Sequence, residues 1–381
     1  MRVAIFHRGT ISDATGTDER IIQIASNLAK EGIDVTIIGH KTTRLNLTLP
    51  ENLHLIELPK KIINLYSVLK WLVNLVADSL TCKYDIVQVE TFSFIESIAL
   101  FFALRPLNRK FIIVFHDKWF TEDPRKSISG KLNLFLQKIL FNIYDISITP
   151  GLSVKEWFKE LHGEIIDRKM IIIPNGSPNI VEKKLGNYSH LREDYGISPN
   201  AFVALFFGAM SFKPNYDSAL YLYGISEQIS KEFEKTTGKK LIFVIAGKDS
   251  EKLPKTEYYI PIGFVNELNK LLSLPDTIVI PHLPSFSGPH VKTMYSFLSG
   301  KPVVATSDAV KDMPNVIPRK QFLEFIVDKP ETLLVCLINL YYHKDLGSYL
   351  VLNAKAYAVS SSWSRISRLH RVLYNQLLLV K

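Results

Sequence analysis

Cysteine is nearly absent from this sequence. Cys82 and Cys336 stand far apart and no C-x-x-C occurs, which excludes a zinc ribbon or a vicinal redox pair. Two buried thiols in a reducing compartment is the reading that remains. Long apolar runs are missing too. The best stretch, Ile62 to Leu80, is broken by Asn64, Lys70, Asn74 and Asp78, so no membrane span is expected. The opening run Met1-Arg2-Val3-Ala4-Ile5-Phe6-His7 is too short for a signal-peptide core and reads as a first strand. There is no internal repeat, no stretch of disordered composition and no G-x-G-x-x-G. Acidic residues are the poorer charge class, 37 against 46 basic, for a net charge of +9. Such an excess favours an anionic partner: a phosphate ligand, nucleic acid or an acidic membrane surface. The basic residues are scattered and no nucleic-acid motif is present, so no nucleic-acid partner is expected. These absences point to a cytoplasmic protein, or one peripheral on the cytoplasmic face of a membrane.

The chain has 381 residues, 47% of them hydrophobic. That is more than one core usually supports and suggests two domains. Short Ile- and Val-rich runs alternate with amphipathic stretches. Val3–Phe6 is followed by a helical stripe of Ile21, Ile22, Ala25, Leu28 and Ala29, with Gly32 where a C-cap glycine belongs. Val35–Ile38, Ile86–Val89, Ile112–Phe115, Ile146–Thr149 and Ile171–Ile173 continue the series. Nearly continuous apolar runs are what strands buried on both faces require. Their alternation with helices predicts an α/β fold with a doubly wound parallel sheet. Pro174-Asn175-Gly176-Ser177-Pro178 breaks the pattern. A second series follows: Phe202–Phe207, Leu241–Ile245, Ile278–Ile280 and Pro302–Ala305. The expected organisation is a first domain over 1–178, a second over 179–361, and an amphipathic last helix within 362–381.

Several loops could carry chemistry. The first, Arg8 to Asp18, holds Gly9, Gly16 and Thr17 between a strand and a helix. A glycine there lets backbone approach a ligand, and the helix N-terminus favours anions. His116-Asp117 stands at the carboxyl end of a strand, where such sheets bind ligands. Histidine can move a proton near neutral pH, and Asp117 could orient it. Phe207-Gly208-Ala209-Met210-Ser211-Phe212-Lys213-Pro214-Asn215 is another strand-to-helix loop, with Lys213 a mobile point charge for a phosphate. Ser287-Gly288-Pro289 looks like a helix start. In that helix Val291, Met294, Phe297 and Leu298 share one face and Lys292, Tyr295 and Ser299 another. Free amides at its start, with Lys292 one turn in, would suit a diphosphate. Lys292 reads here as an exposed lysine that contributes little to stability and whose loss would leave the fold intact.

The run from Pro281 through Ser287-Gly288-Pro289-His290-Val291-Lys292 and Tyr295 to Gly300-Lys301-Pro302-Val303-Val304-Ala305-Thr306 resembles the donor-binding signature of GT4-type retaining glycosyltransferases. Other pieces match in the same order. Phe207-Gly208 to Pro214-Asn215 is similar to the family's first loop of the second domain. Ile262-Gly263-Phe264-Val265 resembles the stretch that meets the nucleotide base. Pro174-Asn175-Gly176 resembles the interdomain turn, and Val114-Phe115-His116-Asp117 the family's H-D strand end. The segment at Trp363 resembles the helix that returns to the first domain. The chain also departs from the pattern. Tyr295 and Ser287 stand where the family has two carboxylates, Ala209 where it has Arg, and Gly16-Thr17 where Gly-Gly is common.

The resemblance implies a GT-B fold: two Rossmann-like domains facing a central cleft. It implies transfer of a hexose, glucose as the best guess, from a nucleotide-diphosphate sugar, with UDP-sugar favoured, and with retention of configuration. No cofactor beyond that co-substrate is expected. No Asp-x-Asp occurs, in keeping with a site without a metal. His116, Lys213 and Lys292 would be catalytic. Gly16, Thr17, Gly208, Gly263, Phe264, Val265, Ser287, Gly288, Pro289, His290, Val291 and Tyr295 would bind the donor. A sugar-nucleotide epimerase on the same fold, or a binding subunit without turnover, are the other readings. The acceptor is expected to be a saccharide, lipid-linked and of glycan assembly. Lys60–Leu80, Phe94–Arg105 and Lys131–Tyr144 are apolar stretches carrying a few basic residues. They suit either core helices or a peripheral contact with anionic lipid.

Overall fold

Thirteen strands in two separate parallel sheets organise the described chain. The computed structural model describes residues 1–10, 16–40, 49–58, 83–90, 93–107, 110–118, 123–177, 191–284 and 291–380. The chain divides into two units, Met1–Gly176 with Trp363–Lys381, and Ser177–Ser362.

In the first unit β1 (Arg2–Thr10), β2 (Asp34–His40), β3 (Leu53–Leu58), β4 (Ile86–Glu90), β5 (Lys110–Val114), β6 (Ile146–Thr149) and β7 (Met170–Ile172) form one sheet. Their order is β3-β2-β1-β4-β5-β6-β7, every pair parallel. The sheet is buried on both faces because successive side chains alternate sides. Val3, Ile5, Ile86, Ile112 and Val114 join one core, and Ala4, Phe6, Val87, Val89, Phe111, Ile113 and Phe115 the other. The first core is closed by the helix Gly16–Lys30, which ends at Gly32 in the left-handed region (φ +82°). It is also closed by the C-terminal helix Trp363–Leu379, through Trp363, Ile366, Leu373 and Tyr374. A Cβ on Gly176 would lie 2.5 Å from the Trp363 indole, so that close approach needs glycine. On the other face the helices Phe94–Leu104, Ile128–Ile143 and Leu152–His162 cover an aromatic group of Phe101, Phe111, Phe115, Phe141, Tyr144 and Phe158.

The second unit repeats the topology with β8 (Phe202–Phe207), β9 (Leu241–Ala246), β10 (Tyr259–Gly263), β11 (Thr277–Ile280), β12 (Val303–Ala305) and β13 (Leu323–Glu324). Their order is β10-β9-β8-β11-β12-β13, again parallel. In each sheet the order reverses once, at β1/β4 and at β8/β11. The carboxyl ends flanking such a reversal are where doubly wound sheets hold ligands. Among the described residues no helix is long and apolar enough to cross a membrane. The stretch Lys60–Leu80 lies outside them, as does Cys82.

Candidate functional site

In the second unit three glycines line up at neighbouring strand ends. Gly208 follows β8, Gly247 follows β9 and Gly263 ends β10. The Gly208 amide donates to the Ala246 carbonyl at 3.0 Å, and the Gly247 amide to the Gly263 carbonyl at 2.8 Å. A Cβ on Gly247 (φ +129°) would stand 2.0 Å from the Gly208 oxygen, and one on Gly208 would stand 2.6 Å from Asn215 Nδ2. Gly263 (φ +75°) is held by its amide on Ser250 Oγ at 3.0 Å. Next to it Phe264 is 69% exposed, while Val265 packs on the core. Backbone without side chains beside an exposed ring is a shape that a flat base and a phosphate can approach.

Asn215 ties the loop to the helix that follows β11. Its Nδ2 donates to the Ala209 carbonyl at 3.0 Å, and its Oδ1 accepts from Lys292 Nζ at 2.5 Å. That ammonium also lies over the Phe206 ring, 4.6 Å from its centroid. Burial pushes Lys292 down to about 7, because a charge deprived of water favours its neutral form. The expectation of an exposed lysine is therefore corrected: Lys292 is partly buried and its charge is costly. Lys213 is the opposite case. It opens the helix Lys213–Thr237, is mostly exposed, and pairs with Asp217 at 2.7 Å. Val291 and Tyr295 share the Val291–Leu298 helix with Lys292 and are partly buried. Ser287, Gly288, Pro289 and His290 lie outside the described residues.

The first unit holds a second polar centre at its own switch point. His7, near the end of β1, meets Asp18 at 2.7 Å, both buried. Gly16 and Thr17 open the helix that carries Asp18, and residues 11–15 of the loop lie outside the described residues. His116 follows β5, and its Nε2 lies 2.6 Å from Glu90 Oε2 at the end of β4. The carboxylate on this ring is that of Glu90, whereas the sequence offers Asp117, which is exposed. Glu90 also accepts from Gln88 Nε2 at 2.6 Å. Burial pushes its carboxyl up, but the hydrogen bonds from His116 and Gln88 and the charges of His116 and Arg20 outweigh that and hold it at about 2. Arg20 is buried and donates to the Ile173 and Pro174 carbonyls and to Asn175 Oδ1. Burial lowers it to about 10, so it stays charged near neutral pH. Sequence reasoning does not single out Glu90, Arg20, Asn215 or Gly247. A signal for Glu90 exists, since it is the polar residue at a strand's carboxyl end.

Residues 14–177 match the family model described as Glycosyltransferase Family 4. The chain carries a Glycosyltransferase Family 4 domain. No curated protein matches it in sequence. Solved structures do match in fold. Sucrose-phosphate synthase from Thermosynechococcus elongatus is 14% identical with TM-score 0.73, covering 100% of each chain. Anabaena Alr3699/HepE in complex with UDP and glucose is 14% identical with TM-score 0.69, over 99% of this chain and 100% of that one. WaaG, a glycosyltransferase involved in lipopolysaccharide biosynthesis, is 14% identical with TM-score 0.64, over 98% and 99%. The chain thus has the GT-B architecture of two Rossmann-like α/β domains.

Proposed function

We propose that the chain is a glycosyltransferase that moves a hexose, glucose as the best candidate, from a UDP-sugar to a lipid-linked saccharide with retention of configuration. The observation that carries the donor half is Lys292, held by Asn215 beside the glycine strand ends of β8, β9 and β10. Breaking the anomeric C–O bond gathers negative charge on the departing diphosphate. A cation already desolvated and fixed by a hydrogen bond stabilises that charge without reorganising. Lys292 supplies it, with backbone amides near Gly208 and Lys213 as a more mobile second charge. Gly263, Phe264 and Val265 receive the base, and Tyr295 faces the ribose in place of a carboxylate. His116 holds a hydroxyl of the transferring sugar or of the acceptor, so no protein nucleophile is required. UDP is favoured because HepE, of like fold, is described with UDP and glucose. The lipid-linked acceptor draws support from WaaG's role in lipopolysaccharide biosynthesis.

It draws further support from the surface of the first unit. The helix Ile128–Ile143 leaves Ile128, Leu132 and Phe135 exposed along one stripe, with Lys131 and Lys138 exposed beside it. The neighbouring helix Phe94–Leu104 leaves Ile95 and Phe102 exposed. Apolar side chains flanked by lysines suit an anionic lipid interface. The deciding experiment is a thermal-shift panel of nucleotide-diphosphate sugars, followed by a transfer assay with the best of them. A donor at a hundred times its Kd should add about 2.7 kcal/mol of stability. Stabilisation by no nucleotide sugar would end the donor assignment, and inversion of configuration at C4 or C2 of the sugar without transfer would favour an epimerase.

A further inference from the structure

The polar centre around Glu90 extends into the C-terminal helix. Gln88 stands two residues before Glu90 on β4, so both point to the same face. Gln88 is buried, and its Oε1 accepts from the Tyr374 hydroxyl at 2.7 Å. Tyr374 and His370 are one turn apart on the C-terminal helix, and both are buried. A polar chain therefore runs from that helix to His116: Tyr374, Gln88, Glu90, His116.

The direction of every proton in this chain follows from Glu90. An ionised carboxylate has no proton to give and only accepts. Glu90 is held in that state at about 2. Gln88 must then turn its NH₂ group to Glu90 and its oxygen to Tyr374, whose O–H donates. On the other carboxylate oxygen, His116 must carry its proton on Nε2. The same holds whether His116 is neutral or charged. In neutral His116 the second nitrogen, Nδ1, is bare and can only accept. His370 adds no charge to this centre, because burial and the nearby Arg20 lower it to about 3.

We propose that Glu90 is a positioning residue that fixes His116 as its Nε2–H tautomer, and that Tyr374 of the C-terminal helix, through Gln88, sets the position of Glu90. His116 then offers the Nδ1 lone pair to a sugar or acceptor hydroxyl. This rests on the reading of His116 as a hydroxyl-binding group of the transferase. A ring held by a carboxylate on its far nitrogen has one orientation and one tautomer, and loss of such a partner typically costs roughly tenfold to a hundredfold in function. The C-terminal helix thereby acts on the chemistry of the unit as well as on its core.

The test is long-range proton–nitrogen correlation on the full chain labelled with ¹⁵N-histidine, with His116 assigned by comparison with His116→Gln. The neutral His116 ring should show a protonated Nε2 and a bare Nδ1. Glu90→Gln should give a mixture of tautomers, since an amide can face the ring either way. An Nδ1–H tautomer in the unmodified protein, or a tautomer unchanged by Glu90→Gln, would overturn the proposal. This arm needs no substrate, so it decides the tautomer even if no donor supports turnover. A second arm uses kinetics. Tyr374→Phe should lower kcat roughly threefold with KM unchanged, and should have no effect in a Glu90→Gln background, where the chain is already cut. Equal losses in both backgrounds would show that Tyr374 acts on the fold alone.

Discussion

At the scale of single residues, Lys292 makes the sharpest prediction. In the unfolded chain its ammonium has the ordinary lysine value near 10.4. In the folded protein burial holds it at about 7. The fold therefore binds fewer protons than the unfolded chain between those values, and stability rises with pH across that window. Below pH 7 both states are charged and the full cost of burying the cation is present. Lys292→Met should accordingly raise the melting temperature most below pH 7, with the gain shrinking as pH climbs towards 10. The same variant should bind UDP more weakly, and thermal melts with and without UDP at pH 6 and pH 9 measure both effects. A variant less stable than the parent at pH 6 would show that the Asn215 and Phe206 contacts outweigh the desolvation. Lys292 can be named from its sequence context, but its burial cannot, because Asn215 and Phe206 reach it from another strand and helix. Glu90 escapes a sequence reading for a similar reason. The apolar run Ile86–Val89 draws the strand boundary one residue short of it. Its partner His116 is 26 positions away and is brought near only when β4 pairs with β5.

At the scale of elements, the three glycine strand ends separate folding from binding. Gly247→Ala places a Cβ 2.0 Å from the backbone oxygen of Gly208, at φ +129°. Backbone on both sides cannot yield cheaply, and a loss of several kcal/mol in stability is expected (roughly 3 or more for a strained, overpacked site). Gly208→Ala meets the far end of the Asn215 side chain instead, at 2.6 Å. Asn215 can swing away, releasing Lys292, so this variant should stay folded and lose roughly tenfold or more in UDP affinity (the worth of one charge-assisted contact). Calorimetry and titration with UDP on both variants check the contrast, and equal melting temperatures would refute it. The C-terminal helix offers a third case. Trp363, Ile366, Leu373 and Tyr374 belong to the core of the first unit, although Ser177–Ser362 intervenes in the chain. Truncation after Ser362 should remove that unit's unfolding transition and leave that of the second. Most strands are legible as Ile- and Val-rich runs, but β3, β10 and the two-residue β13 are not. All three are edge strands. β3 reads Leu-His-Leu-Ile-Glu-Leu, its apolar run interrupted by the exposed His54 and Glu57, and β10 carries Pro261, which an edge tolerates and a central strand does not.

At the scale of the whole molecule, two repeats of one sheet order follow from a repeated pattern of apolar runs and amphipathic stretches, and the amino-acid sequence alone makes that much legible. The surface is not legible in the same way, because an apolar helix residue reads the same whether it faces a core or a lipid. The structure separates the two in the first unit: Leu140 and Phe141 are buried, while Ile128, Leu132 and Phe135 on the same helix are exposed. Lys60, Lys61 and Lys70, the natural charges to test from sequence, lie outside the described residues, so Lys131 and Lys138 take their place. A net charge of +9 and two exposed lysines beside an apolar stripe should draw the protein to vesicles of anionic phospholipid at low salt. Each such lysine adds about 1 kcal/mol near a charged surface, and salt at about 0.1 M screens it beyond about 10 Å. Binding should therefore fall steeply with salt and be weak on neutral vesicles. Lys131→Glu with Lys138→Glu, and separately Leu132→Ser with Phe135→Ser, alter exposed positions and should leave the melting temperature within a few degrees. Both pairs should lower transfer to a lipid-linked acceptor and spare transfer to a soluble analogue, since only the first requires the enzyme at the membrane. Equal losses on the two acceptors would place the defect in the transfer site, and full activity of both variants on the lipid-linked acceptor would remove the membrane from the account.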